Sequence, residues 1–134
     1  DIIDTRYGSL TAFTQHLAEN VVNLIVLSIA DTTNFGILRA IVSDNEKTLK
    51  VVRDKGYTAN LTEVLAVAVP DVPGGLAGVL QLLRDNDISV EYLYSFVRRV
   101  GNDAIIIFRV DQPERAGNLL RDKGVRLLEQ DEIA

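Results

Sequence analysis

The chain has 134 residues, of which 47% are hydrophobic and 25% charged, with a net charge of -5. That length suits one ordinary domain or two small ones of about 65 residues each, and the acidic balance argues against phosphate backbones and anionic membranes as partners. Cysteine is absent and His16 is the single histidine, so disulfides are excluded and zinc or iron–sulfur centres lose their usual ligands.

No apolar run approaches the roughly 18 residues of a membrane span, and no signal peptide opens the chain. A cytoplasmic protein is the expectation.

In chain order, the leading strand is expected from Asp1–Asp4, and it is short. A helix near Ser9–Glu19 follows, then strands at Asn23–Ala30 and Ile37–Val42, a helix at Glu46–Lys55 and a strand at Tyr57–Asn60. Glu63–Val69 is a β-rich apolar run ending at Pro70, which suits a strand. Pro73-Gly74-Gly75 is a turn, and Leu76, Val79, Leu80 and Leu83 then recur at helical spacing until Asp85-Asn86-Asp87. Ile88–Val97 and Ala104–Val110 read as strands joined at Gly101-Asn102. Pro113 opens a last helix that runs to about Lys123, where Gly124 is placed to end it, and Val125–Leu128 is the final strand.

The sequence repeats itself. Arg53-Asp54-Lys55-Gly56 recurs as Arg121-Asp122-Lys123-Gly124, an offset of 68, and Val42 and Glu46 match Val110 and Glu114 in the same register. Upstream, Gly8, Leu10 and Asn20 match Gly74, Leu76 and Asn86 at an offset of 66. The two-residue difference is expected in a longer hairpin loop around Arg98–Asp103. Two repeats are therefore expected, 1–62 and 63–134, each with the order β-α-β-β-α-β. This is an α+β, ferredoxin-like arrangement, with an antiparallel sheet and both helices on one face. The other sheet face needs cover, and pairing the repeats side by side would also remove exposed edges.

Such folds host many functions. Here Asp71-Val72-Pro73-Gly74-Gly75-Leu76-Ala77, followed by Leu80, Leu83 and Ile88-Ser89-Val90, resembles the signature of ACT domains. A weaker version runs through Thr5-Arg6-Tyr7-Gly8-Ser9-Leu10 and Val22-Asn23-Leu24, and the stretch Ile29–Arg39 is similar to the hairpin of small tandem ACT proteins. The resemblance implies a regulatory module that binds an amino acid between paired domains and acts on an enzyme or regulator, with no cofactor, no metal and no catalytic residue. A homodimer is possible on this reading. It implies one pocket joining the Asp71, Val72, Pro73, Gly74, Gly75 and Leu76 turn to Asn23. A second would join Arg6, Tyr7, Gly8, Ser9 and Leu10 to Ser89. Asp31, Asn34 and Phe35 are added by the resemblance alone.

The residue chemistry suits an amino-acid ligand. A turn opening a helix offers backbone N–H groups to a carboxylate. Asp71 can accept from an ammonium group, and Asn23 can donate or accept. Asp71 aligns with Thr5, Pro73 with Tyr7 and Asn23 with Ser89, so unequal pockets are expected, the Asp71–Asn23 pocket being the tighter.

Simpler explanations accompany each feature. Glycines suit a tight connection without any ligand, Asp71 could cap the helix, and Tyr92, Tyr94 and Phe96 at period two favour packing. His16 reads as a surface or boundary residue. The competing functions are a protein–protein docking or oligomerisation module without ligand, an acylphosphatase-like enzyme and an RNA-binding module. Arg6 imitates the phosphate loop of the enzyme poorly, and the acidic chain lacks the basic aromatic surface that RNA requires.

Overall fold

The computed structural model describes residues 2–7, 10–31 and 36–133. They form two compact units, one ending at Thr62 and the other covering Glu63–Ile133.

In unit 1, β1 (Ile2–Tyr7), α1 (Leu10–Glu19), β2 (Leu24–Asp31), β3 (Gly36–Val42), α2 (Asn45–Asp54) and β4 (Ala59–Thr62) follow one another. Unit 2 repeats the series with β5 (Leu65–Pro70), α3 (Gly75–Asp85), β6 (Val90–Val100), β7 (Asp103–Val110), α4 (Pro113–Asp122) and β8 (Arg126–Leu128), then adds a single turn, α5 (Gln130–Ile133). Each unit holds one four-stranded antiparallel sheet, ordered β2-β3-β1-β4 and β6-β7-β5-β8. Both units are therefore βαββαβ ferredoxin-like folds.

Each long helix buries a pair of residues four apart, the spacing that keeps two side chains on one face. The pairs are Phe13 and Leu17, Thr48 and Val52, Val79 and Leu83, and Ala116 and Leu120. In unit 2 they pack with Val67, Val69, Ile106, Phe108 and Val110. In unit 1 Phe13, Leu17 and Val52 cluster with Ile3, Leu38, Ala40 and Val42. Fully burying one such side chain contributes about 1.5–3 kcal/mol.

The repeated tetrapeptide has a backbone reason. Gly56 and Gly124 sit at φ of 90° and 79°, where a residue with a Cβ is disfavoured. Tyr57 N–H donates to the Val52 carbonyl at 3.2 Å and Val125 N–H to that of Leu120 at 2.9 Å, closing both helices alike.

The structure corrects several expectations. The leading strand is six residues long and reaches Tyr7. The residues that lengthen the second hairpin do not enlarge its loop, which is the two-residue turn Gly101-Asn102. Between the pairs Ser95↔Ile106 and Arg99↔Ala104, β6 advances four residues while β7 advances two. The equivalent stretch of unit 1, Ile29↔Leu38 to Asp31↔Gly36, keeps strict register. A β-bulge absorbs the insertion, as bulges do without breaking the ladder on either side.

Candidate functional site

The Asp71–Gly74 segment connects β5 to α3. Gly74, the residue before the helix, lies at φ 86° and contributes no side-chain hydrogen bond to the first helical turn. Of the backbone N–H groups at that end, that of Gly75 donates to the Val72 carbonyl at 3.0 Å, and Gly74 offers none of them a side-chain cap. A Cβ at Gly75 would collide with the Pro70 carbonyl, so the helix can start this close to the strand only with glycine there. Gly74 and Gly75 thus have geometric roles whatever the turn binds. Asp71 is exposed beside the turn, Pro73 is exposed, and Leu76 is half-buried against the core. Val72 stands 63% exposed.

At the far end of α3, Asp87 and Ile88 lead into β6. Ser89 is exposed immediately before that strand, and its N–H donates to Asp111 Oδ1 at 2.9 Å. The Asp111 N–H donates back to the Ser89 carbonyl at 3.1 Å. Ser89 lines a polar cleft of about 540 Å³ with Arg84, Asp87, Ile88 and Val90. An 11-residue helix separates this cleft from the Asp71–Gly75 turn, so within unit 2 the two sets of implied site residues stand at opposite ends.

Asn23 occupies the place of Ser89 in unit 1: it is exposed and immediately precedes β2. The loop before it repeats that of unit 2. Val22 N–H donates to Leu17 O and Ile88 N–H to Leu83 O, both at 2.9 Å. The Asn20 and Asn86 side chains each donate to the carbonyl four residues back, again at 2.9 Å. In each unit the strand's first rungs are irregular, between Leu24 and Val26 and between Val90 and Tyr92.

Arg6 and Tyr7 do not lie in a turn. They are strand residues of β1, opposite Ile37 and Gly36, and Leu10 is the first residue of α1. The alignment of Thr5 with Asp71 fails for the same reason. Thr5 faces Leu38 whereas Val67 faces Ile106, the equivalent of Leu38, so the central strands correspond at an offset of 62. The helices that follow correspond at 66, and the first connection is therefore four residues shorter than the second. Unit 1 has no counterpart of the Asp71–Gly74 segment in length. Gly8, Ser9, Asn34 and Phe35 lie outside the described residues, and Asp31 is the last residue of β2.

Val21, Arg84 and Asp87 were not singled out in the sequence. Asn86-Asp87 is a signal for left-handed backbone, and the aligned pair Asn20-Val21 would have carried that signal to unit 1. No group of three or more His, Cys, Asp or Glu that could hold a metal occurs among the described residues. None of their helices is long and apolar enough to cross a membrane.

Two βαββαβ units in one chain, the second with a glycine-rich strand–helix turn, define a tandem ferredoxin-like protein. The family model for the ACT domain pair matches residues 2–134, and the chain belongs to that family. The crystal structure of a Bacteroides thetaiotaomicron protein is similar at 35% identity and TM-score 0.90, over 98% of this chain and 93% of that one. The ligand-free regulatory subunit of aspartate kinase from Thermus thermophilus is similar in fold, at 12% identity and TM-score 0.57 over 90% of each chain. No curated protein matches.

Proposed function

We propose that this chain is a regulatory module that binds a free amino acid and passes the signal to an enzyme or a regulator in the cytoplasm. In this reading the ligand is held where the Asp71–Leu76 turn of one repeat meets Asn23 of the other. Neither nucleic acid nor membrane is a partner, and no reaction is catalysed.

The carrying observation is the start of α3: an extended, exposed turn with Asp71 at its edge and a first helical turn that Gly74 does not cap. Its N–H groups and dipole suit a carboxylate, while the Asp71 carboxylate suits an ammonium group. Asn23 supplies an amide from the second half. The site of the other pairing, around Ser89, is weaker, because its partner connection is four residues shorter and lacks an acidic residue equivalent to Asp71. Regulation follows from linkage: a ligand that favours one arrangement of the repeats shifts any surface that differs between arrangements.

The test is a thermal-shift screen of the twenty amino acids, with hits taken to calorimetry. A ligand at a hundred times its Kd adds about 2.7 kcal/mol of stability. One or two specific hits, abolished by Asp71→Ala, support the reading. Silence across the panel at millimolar concentration favours a docking module without ligand.

A further inference from the structure

Among the described residues, the non-glycine positions with positive φ are Val21 and Asp87, each at 57°. Their loops are closed alike: Val21 N–H donates to the Ala18 carbonyl and Asp87 N–H to that of Arg84, both at 3.1 Å. Aspartate tolerates this left-handed backbone better than valine, whose branched Cβ crowds it. Val21 is 81% exposed, so burial does not offset the strain. The loop of unit 1 therefore depends more on the bonds that hold it.

One of those bonds involves His16, the single histidine of the chain. It is half-buried in the last turn of α1, directly before the loop. Its Nε2 lies 2.9 Å from the Val51 carbonyl of α2. A carbonyl only accepts, so Nε2 carries the proton and the neutral ring presents a bare Nδ1. The Asn20 side-chain nitrogen stands 3.5 Å from that Nδ1 and donates to the His16 carbonyl at 2.9 Å. One NH2 group thus spans two acceptors. In unit 2 Leu82 takes the place of His16, and the Asn86 amide donates to the Leu82 carbonyl alone.

A second proton on the ring turns Nδ1 from acceptor to donor, aimed at a group that can only donate. Turning the Asn20 amide over would give Nδ1–H an oxygen, but would set the same oxygen against the His16 carbonyl. Both contacts cannot survive. The charged residues at helical spacing from the ring and its carbonyl partner are Glu19 on α1 and Lys47, Asp54 and Lys55 on α2. The Asn20–Asn23 segment carries none.

We infer that His16 is a pH-sensitive latch on the Asn20–Val22 loop of unit 1, closed when the ring is neutral, open when it is protonated, and without counterpart in unit 2. Histidine is the side chain whose charge ordinarily changes between about pH 5 and 8. The strand that follows has room to yield, because its first rungs are irregular between Leu24 and Val26. Asn23 stands between the loop and those rungs, so the latch sets how this residue is presented, whether or not it holds a ligand.

The experiment is nitrogen-15 NMR of the whole chain between about pH 5 and 8, where the imidazole signals belong to His16 alone. At the alkaline end Nε2 is expected protonated and Nδ1 bare. As the ring gains its second proton, hydrogen-exchange protection of the Val22 N–H should fall about fivefold, while that of the Ile88 N–H changes less than about twofold. His16→Leu, which installs the residue of unit 2, should abolish the pH dependence at Val22. Asn20→Ala should leave the ring titrating while Val22 protection no longer follows it, so either variant alone decides the matter; urea midpoints verify that both fold. A ring that stays neutral throughout, the opposite tautomer, Val22 protection that does not track the ring, or the native pH trend in either variant overturns the latch.

Discussion

The two repeats solve the same packing problem with different side chains. In unit 1 the large ring sits on the helix, as Phe13, and the strand β3 contributes Ala40. In unit 2 the helix contributes Val79, and the ring belongs to β7, as Phe108. The volume has moved across the core while both helices keep their buried pair four residues apart, as close-packed interiors allow when total volume is held.

The ends of the elements show no such compensation. Helix α2 is capped by Asp44, whose Oδ1 accepts from Lys47 N–H at 3.1 Å. Helix α4 has Gln112 before it with no side-chain cap and uses Pro113 instead. The acidic residue of unit 2, Asp111, stands one position earlier in the repeat and ties down Ser89. Core positions are constrained by their neighbours on every side. Connections answer to fewer partners, and that is where the repeats have acquired different chemistry.

The largest effects should come from the cores, and they should be similar. Leu17→Ala in unit 1 and Leu120→Ala in unit 2 are each expected to cost about 2–5 kcal/mol in urea unfolding. A cost below 1 kcal/mol for either would mean that one core is far looser than the other.

Next is Gly75→Ala, which drives a methyl into the Pro70 carbonyl and should cost about 1–3 kcal/mol.

The caps separate the repeats on a smaller scale. Asp44→Ala should lose about 1 kcal/mol, and Gln112→Ala less than about 0.5 kcal/mol, both read from denaturant midpoints. Exchanging the loop residues should move stability in opposite directions: Val21→Asn gains and Asp87→Val loses about 0.5–1 kcal/mol. Equal signs would show that the two loops do not share the conformation described.

The smallest effect is a pH dependence at Glu132 in unit 2. The Glu132 carboxyl accepts from Glu129 N–H at 3.0 Å and from Arg126 Nη2 at 3.1 Å. The Glu129 N–H bond, then the bond from and the charge of Arg126, hold its pKa below the usual carboxylate range. A lowered folded-state pKa adds stability that is present above the unfolded value and lost as the pH falls through the folded one. Glu132→Gln should therefore flatten a slight fall in the thermal midpoint below about pH 4.5, the ordinary carboxyl region. An unchanged profile would place the bond outside the solution structure.

Order and type of the elements were legible in the sequence because helix and strand periods are local. Leu76, Val79, Leu80 and Leu83 announce α3, and Pro113 with Gly124 brackets α4. The length of β1 was not legible: Thr5-Arg6-Tyr7 carries no apolar alternation, and the glycine match at offset 66 drew those residues into a turn. Only the hydrogen-bond ladder with β3 shows that strand and helix follow different offsets. The bulge in β6 escaped for a similar reason, since an insertion within a strand leaves both flanking patterns intact. α5 is one turn, too short to show a period.

Two polar side chains reach backbone carbonyls. Arg53 donates from Nε at 3.1 Å and Nη2 at 2.7 Å to the Ala59 carbonyl. His16, half-buried, sits with Nε2 2.9 Å from the Val51 carbonyl, and since a carbonyl only accepts, that nitrogen carries the proton. Tyr92 and Tyr94, expected to pack, are half-buried and stacked, with ring centroids 6.3 Å apart. In the candidate site the turn and its glycines were readable, but the left-handed backbone at Val21 was not. An exposed valine is unremarkable until its backbone conformation is known.

In unit 1 the first and last strands are neighbours, and Ile2 lies directly opposite Thr62. Entry and exit of the unit thus meet on one edge of the fold. A coding segment for such a unit can be copied head to tail without a long spacer, and two residues separate β4 from β5. The same closeness lets the unit be reopened elsewhere: joining the Ile2 and Thr62 ends through a short bridge would permit new termini at one of its own exposed connections. A fold whose ends meet is heritable as a cassette, and once two cassettes exist, one can keep its ancestral chemistry while the other drifts.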